Sequence, residues 1–294
     1  MPSYAMSIFH LPKSLIAEIH RMSARFWWGS KENQQNIHWC TWKRLCTPEN
    51  DGGLGFCDIE KSNRAYLAKQ CWRMIKNPDS LVVKVLKGCY YKDKSFLEAQ
   101  KNGDGSYVWN ILIWGKDLLE EGIRWRVSNG NSIHVYKDKW IPKQSTFKIL
   151  SHPSLNDAIV DQLLTPSGNW NLQLIHEKFS SDDENKILRI PIGRGKREEL
   201  IIWHYEGDGT YMVKSGYWLG INLEDKSRPF NTNPSTRLWS FFWKLKIPSK
   251  VKILIWKASH YWIPTKASIA RRGIQISHIC DACKSSIETT LVDL

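Results

Sequence analysis

The chain has 294 residues, of which 42% are hydrophobic and 24% charged, proportions typical of a globular protein. Its 42 Lys and Arg against 29 Asp and Glu leave a formal net charge of +13 at pH 7, which indicates either a polyanionic partner such as nucleic acid or a solvated basic surface with no partner. No run of 18 apolar residues occurs, so a transmembrane helix is excluded, and the N-terminal residues do not predict a cleaved signal peptide. The seven cysteines are scattered and odd in number, which predicts an intracellular rather than a secreted protein.

The first part of the chain has the hydrophobic periodicity of amphipathic helices. Apolar residues recur there at spacings of three and four, and capping or breaking residues stand where each pattern begins or ends. The predicted helices are residues 11–28 followed by Gly29, a helix from Asp58 to Asn77, a short helix from Ser80, and a helix from Ser106 to about Glu121.

The periodicity then changes to that of strands. Alternating apolar residues flank Asn129-Gly130 and, further on, Gly207-Asp208-Gly209, and each pattern predicts a β-hairpin. The remaining predicted helices are residues 156–164, residues 170–179, a helix from Ser181, and residues 215–219. These elements predict an α+β fold that is mainly helical.

Composition divides the chain into four ranges. The polar stretch 222–236 contains Pro229 and Pro234 and predicts a linker. We therefore expect a helical region over 1–122, a mixed hairpin and helix region over 123–221, the linker 222–236, and a small helical domain over 237–294.

Motifs of known catalytic sites are missing from the sequence. It contains no phosphate-binding loop, zinc-protease motif, nucleophile elbow or dinucleotide fingerprint. Its one Asp-Asp pair, Asp182-Asp183, follows Ser180-Ser181, and this pattern favours a helix cap over the metal-binding carboxylates of a polymerase. We predict no catalytic residues and no enzyme activity.

A Cys-x-x-Cys pair near the C-terminus has the spacing of a zinc knuckle. Cys280 and Cys283 can supply two thiolate ligands, whereas a structural zinc site needs four. No Cys or His follows in residues 284–294, so the pair is a candidate for zinc with two of the expected ligands, and structural cysteines are the alternative.

Residues 237–272 contain nine Lys and Arg, no Asp or Glu, and seven interleaved aromatic residues. Cations that release phosphate counterions, together with aromatic faces that stack on bases, are typical of nucleic-acid binding. The alternative is a helical hairpin that buries its aromatic residues and leaves the lysines in water. The candidate nucleic-acid-binding residues are Lys244, Lys246, Lys250, Lys252, Lys257, Arg271 and Arg272.

The C-terminal part resembles a known family. The residues from Leu238-Trp239-Ser240-Phe241-Phe242-Trp243 through Cys280, Cys283 and Glu288-Thr289 are similar to the reverse-transcriptase zinc-binding domain of plant LINE-type (non-LTR) retrotransposon polyproteins. Further similarity covers Arg25-Phe26-Trp27-Trp28-Gly29 and Gly52-Gly53-Leu54-Gly55-Phe56, which resemble the segment that follows the polymerase palm of those proteins.

The resemblance implies a connector region over 1–122 and an incomplete zinc-binding domain over 237–294. The family's palm and ribonuclease-H-like domain would both lie outside this chain, and Val292 occupies the position of the expected His ligand. An internal Met at the start and a stop inside the knuckle are what we expect of a fragment. The resemblance allows a nuclear location.

Together these observations predict a non-catalytic fragment of a retrotransposon polyprotein that binds RNA or DNA, with no membrane and no small-molecule partner. Three alternatives stay open. They are a domesticated protein-interaction module that uses Trp239 and Trp243, a functionless pseudogene product, and a nucleic-acid enzyme.

Overall fold

A computed structural model describes residues 3–31, 36–101, 105–142, 146–151, 157–193, 199–224 and 234–289. Helices dominate these ranges, and their sheet has two strands, so the mainly helical α+β fold is confirmed. None of the described helices is both long and apolar enough to cross a bilayer. The helices are α1 (Ser3–Ile8), α2 (Lys13–Trp27), α3 (Trp42–Cys46), α4 (Ile59–Lys76), α5 (Leu81–Tyr90), α6 (Tyr107–Glu120), α7 (Leu172–Lys178), α8 (Ser181–Leu188), α9 (Val213–Glu224), α10 (Pro234–Lys244), α11 (Ser249–Ser259) and α12 (Lys266–Ala270).

Helix ends follow the capping residues of the sequence. The Ser106 hydroxyl accepts a hydrogen bond from the backbone N–H of Trp109 at the start of α6, and Ser180 does the same for Asp183 at the start of α8. Gly29 follows α2 with φ of +71°, a conformation that glycine adopts without strain. The predicted helices 11–28, 58–77 and 106–121 are therefore confirmed within a few residues.

The predicted pairing of the strands is wrong. Strand β1 (Ile123–Arg126) pairs antiparallel with β2 (Leu200–Trp203), so the first strand of each predicted hairpin joins the other. The Asn129-Gly130 turn instead packs against residues 160–161, where a Cβ on Gly130 would lie 2.4 Å from the backbone nitrogen of Asp161.

Two helix predictions are corrected in extent. Within 157–164 the described helical turn is a 3-10 helix, Val160–Leu163, because the Val160 N–H bonds to the Ile133 carbonyl instead of continuing an α-helix; residue 156 lies outside the described ranges. The helix predicted at 215–219 extends over the whole of α9.

The chain divides into two compact units, each built from two separate stretches of sequence. Unit 1 comprises Met1–Pro12 and Glu60–Lys226. One of its hydrophobic clusters joins α4, α6, α9 and β2 around Trp109 and Trp203, and a second lies around Trp140. Both clusters are built mainly from buried aromatic and aliphatic side chains.

Unit 2 comprises Lys13–Ile59 and Ser227–Leu294. Its hydrophobic cluster surrounds the fully buried Trp256 and draws on both stretches. The four contiguous ranges expected from composition differ from these two units, and they stay a prediction about domains. Residues 225–233 of the expected linker lie outside the described ranges.

Candidate nucleic-acid interface and cysteine turn

Helices α10 and α11 of unit 2 carry most of the predicted cations. The four residues between them end at Pro248, which starts α11 because its ring fixes φ and it needs no N–H donor there. Lys244, Lys246 and Lys250 lie at this connection, and all three are exposed. We call them the α10–α11 basic turn.

Three of the other four predicted cations contact tryptophans of unit 2. Lys252 donates to the Trp243 carbonyl at 2.7 Å. Lys257 lies over the rings of Trp27 and Trp28, at 5.7 and 5.4 Å from their centroids. Such cation–π contacts hold the ammonium against the protein rather than in solvent.

Arg272 has two contacts with one residue. It donates to the Trp39 carbonyl at 2.6 Å, and its guanidinium lies 5.5 Å from the centre of the Trp39 ring. Arg271 is exposed. The seven predicted residues are thus brought into one unit, but three of them also serve to hold it together.

The tryptophans are packing residues. All 16 lie in the described ranges, and none is exposed. The tryptophans therefore follow the alternative that the sequence left open, in which a helical hairpin packs its aromatic residues. In residues 237–272 the aromatic side chains open to solvent are Phe241 and Tyr261, which are 67% and 51% exposed. Base stacking on this segment is limited to those two rings.

A contact between the two stretches of unit 2 was not foreseen from the sequence. The Gly52 carbonyl accepts from the indole N–H of Trp256 at 2.9 Å and from Nε2 of His260 at 3.0 Å. Since a carbonyl only accepts, Nε2 of His260 carries the proton. The sequence signal was Gly52-Gly53-Leu54-Gly55, which reads as a turn and carries no information about its distant partner.

Burial lowers the pKa of His260. Its ring stacks on Trp239, with centroids 5.4 Å apart, and on Trp262, at 4.5 Å. A neutral ring in an aromatic setting avoids the cost of desolvating a charge. His260 is therefore a packing residue of unit 2.

Cys280 and Cys283 lie in a tight turn. The N–H of Lys284 bonds to the Cys280 carbonyl at 2.8 Å, and the N–H of Cys280 bonds to the Ser286 carbonyl at 2.8 Å. Lys284 has a positive φ of 54°, and Ile279 bridges Ile287 across the turn. This hydrogen-bonded turn fixes the backbone between the two thiols.

The Cys283 thiol is exposed and acidic. A hydrogen bond from the Ser286 hydroxyl, 3.1 Å from the sulfur, and backbone N–H bonds from Ser285 and Ser286 lower the pKa of Cys283 to about 6. These donors favour the thiolate, which is the form that binds metals and reacts with electrophiles.

The donor set around this turn does not fit a four-ligand structural zinc site. Asp281, between the cysteines, is bonded to Lys266 Nζ at 2.6 Å. No group of three potential ligands occurs among the described residues. Val292, where the resemblance implies a His, lies outside them. Two thiolates alone leave zinc short of its usual tetrahedral set.

Both carboxylates of the Asp182-Asp183 pair are bound by neighbouring groups of the fold. Asp182 forms an ion pair with Lys186 one turn along α8. The Asp183 carboxylate is 1% exposed and accepts backbone N–H bonds from Leu150 and Ser151. The predicted helix cap is confirmed by the Ser180 hydroxyl.

Comparison with known proteins identifies the family. Residues 211–291 match the family model described as zinc-binding in reverse transcriptase. An Arabidopsis thaliana protein named "Putative ribonuclease H protein" is 27% identical over 305 positions, covering 99% of this chain and 47% of that protein. An uncharacterized mitochondrial protein of Arabidopsis thaliana is 39% identical over 142 positions, covering 48% of this chain and 92% of that protein.

The chain belongs to the plant retrotransposon-derived reverse-transcriptase family. It spans about half the length of the putative ribonuclease H protein. No solved structure matches it significantly. Within this family the matched zinc-binding region includes the α10–α11 basic turn and the cysteine turn, which are the two sites predicted from the sequence.

Proposed function

We propose that this retroelement-derived chain binds RNA or DNA without catalysing a reaction, with the α10–α11 basic turn as its main contact. The observation that carries the proposal is the exposure of Lys244, Lys246 and Lys250 within a segment, 237–272, that contains no acidic residue. Clustered cations gain free energy by displacing the counterions of a phosphate backbone. A partner of this kind fits an intracellular location, the nucleus included.

The triple variant K244Q/K246Q/K250Q tests the proposal. These side chains are exposed, so their replacement leaves the tryptophan cluster of unit 2 intact. We expect its affinity for a short single-stranded RNA at low salt to fall by about tenfold or more, measured by fluorescence anisotropy.

A charge-matched control is available on unit 1. The variant K87Q/K92Q/K94Q removes three exposed lysines near α5 and lowers the net charge equally. Equal affinities for the two triple variants would show that net charge, and not the α10–α11 basic turn, determines binding.

The non-catalytic part of the proposal rests on the missing motifs and on the structural partners of Asp182 and Asp183. Purified protein is expected to give no primer extension and no ribonuclease H cleavage. Either activity, if it persists through purification and is lost in D182N/D183N, would contradict it.

Exposed apolar side chains on the same helices favour a second candidate, a protein-interaction module. Leu238 and Phe241 of α10 are 68% and 67% exposed, and Leu254 of α11 is 56% exposed. Trp239 and Trp243 are not exposed, so they are less suited to such a role than these residues. Concentration-dependent self-association in sedimentation, reduced in F241S/L254S, would support this candidate, whereas a monomer at every concentration would not.

A further inference from the structure

Unit 1 has a basic surface of its own on α4. Lys69, Arg73 and Lys76 follow one another at spacings of four and three residues and therefore lie on one face of that helix. Lys69 is half-buried, and the other two are exposed.

The two lysines are held in place by carbonyl groups on the chain next to α4. Lys76 Nζ donates to the Ile201 carbonyl at 2.7 Å, and Lys69 Nζ donates to the Tyr211 carbonyl at 2.5 Å. Lys76 also lies over the Trp72 ring, 4.7 Å from its centroid. These hydrogen bonds and the ring contact hold the two ammonium groups in place beside α4.

Arg126 adds a fourth cation from strand β1. Its neighbour Trp125 pairs with Ile201, the residue whose carbonyl binds Lys76. A Cβ at Gly209 would lie 3.2 Å from a guanidinium nitrogen of Arg126, so this exposed side chain lies along the 207–209 loop. We call Lys69, Arg73, Lys76 and Arg126 the α4 patch.

The cations of the α4 patch affect one another in two pairs. Burial is the larger cause that lowers the pKa of Lys69 and of Lys76. The charge of Arg73 also lowers the pKa of Lys69, and the charge of Arg126 also lowers the pKa of Lys76. Asp208 is the carboxylate that acts on Lys69, and the hydrogen bonds it accepts from Thr210 lower its own pKa.

None of the four cations forms an ion pair within the described ranges of the chain. The fold thus concentrates four cations, and the charge of Asp208 acts on Lys69. A polyanion that supplies several phosphates would relieve the repulsion among these cations.

We propose that the α4 patch binds the phosphate backbone of nucleic acid and forms a contact surface separate from the α10–α11 basic turn. The aromatic rings beside it, Trp72 and Tyr211, are buried beneath the lysines and are not open to bases. Binding here is therefore to phosphates and does not depend on sequence. This inference rests on the proposed binding of nucleic acid and adds a second contact surface to it.

The variant R73Q/R126Q tests the α4 patch. It removes the two exposed arginines and leaves the hydrogen bonds of both lysines to backbone carbonyls. The control K87Q/K92Q removes two exposed lysines from the same unit. Anisotropy is measured with a single-stranded RNA and with a DNA duplex of equal length, and circular dichroism confirms that each variant is folded.

We expect R73Q/R126Q to weaken binding of at least one of the two probes by about threefold or more. Its salt slope should fall by about 1–2, because each phosphate contact accounts for a slope of about 0.7 with a single strand and about 0.9 with duplex DNA. Whichever probe responds identifies the preferred nucleic acid. D208N, which removes a nearby negative charge, is expected to strengthen binding. If R73Q/R126Q binds both probes as tightly as K87Q/K92Q does, the proposal is overturned.

A parallel measurement on K244Q/K246Q/K250Q separates this proposal from the proposed function. A loss of binding confined to that triple variant would overturn the α4 patch and leave the proposed function standing. A loss of binding confined to R73Q/R126Q would support the α4 patch and overturn the α10–α11 basic turn as the main contact. Weaker binding of heparin with unchanged binding of both nucleic acids would also overturn the α4 patch.

Discussion

The indole N–H of Trp256 donates to the carbonyl oxygen of Gly52, 204 residues away along the chain, at 2.9 Å. The same oxygen accepts from His260, so one turn near the N-terminus satisfies two donors of α11 and its C-terminal end. Buried donors of this kind are costly to leave unpaired. The matched zinc-binding region therefore completes its core with residues from the far end of the sequence.

Gly52→Ala should destabilise the protein by about 2 kcal/mol, through backbone strain and a steric clash. Gly52 has φ of +81°, and a Cβ there would lie 2.9 Å from Nε1 of Trp239. Gly168 is a matched control, because it has φ of +78° with open space around its Cβ. If chemical denaturation gives the same decrease in the free energy of unfolding for Gly52→Ala and Gly168→Ala, the clash with Trp239 does not contribute to the destabilisation.

Acidification should destabilise unit 2 through His260. Burial lowers the pKa of His260 from its usual 6.5, so the fold favours the neutral ring; this stability is present above pH 6.5 and is lost as the pH falls through the folded pKa. His260→Gln keeps a donor for Gly52 but does not titrate.

The test is the fall in Tm between neutral pH and about pH 5, measured for the wild type and for His260→Gln. The fall should be smaller in the variant. His204, whose pKa burial also lowers, contributes to the trend in both proteins, so the difference isolates His260. Identical falls would show that His260 does not couple folding to pH.

Cys283 should be alkylated in its thiolate form at mildly acidic pH. Its pKa is lowered to about 6, whereas burial raises the pKa of Cys46 to about 12 and that of Cys40 to about 11. Site-resolved mass spectrometry after iodoacetamide treatment should give a rate for Cys283 that levels off just above pH 6. Replacement of Ser286 by Ala should shift this profile upward, and an unshifted profile would contradict the assigned hydrogen bond.

Zinc should not stabilise the purified chain as a structural metal would. The described donors at the cysteine turn are two thiols, with Asp281 engaged by Lys266. Wild type and C280S/C283S should therefore show the same Tm with and without added zinc, and metal analysis after dialysis should give well under one equivalent. One retained equivalent that is lost in C280S/C283S would show that residues outside the described ranges complete the site.

Helix positions could be predicted from the sequence because their caps are local. Ser106 and Ser180 bond to groups three residues away, and Gly29 supplies its own positive φ. Strand pairing could not be predicted, since β1 and β2 are far apart in sequence and each had a nearer partner with the right alternation. The packing of the Gly130 turn against residues 160–161 is likewise a contact that no local sequence pattern records.

The candidate interface was predictable in composition but not in arrangement. The acid-free run of cations is visible in the sequence, whereas the distinction between the solvent-exposed Lys246 and Lys257, held over two tryptophan rings, depends on tertiary contacts. The α4 patch could not be predicted from the sequence for the same reason. Its members Lys76 and Arg126 meet only because β1 and β2 pair beside α4.

The central claim, that the α10–α11 basic turn binds nucleic-acid phosphates, is tested most directly by salt dependence. The slope of log affinity against log salt concentration for single-stranded RNA is compared between wild type and K244Q/K246Q/K250Q. Loss of the three exposed lysines should reduce the slope by about 2, at about 0.7 per phosphate contact. An unchanged slope would contradict the claim.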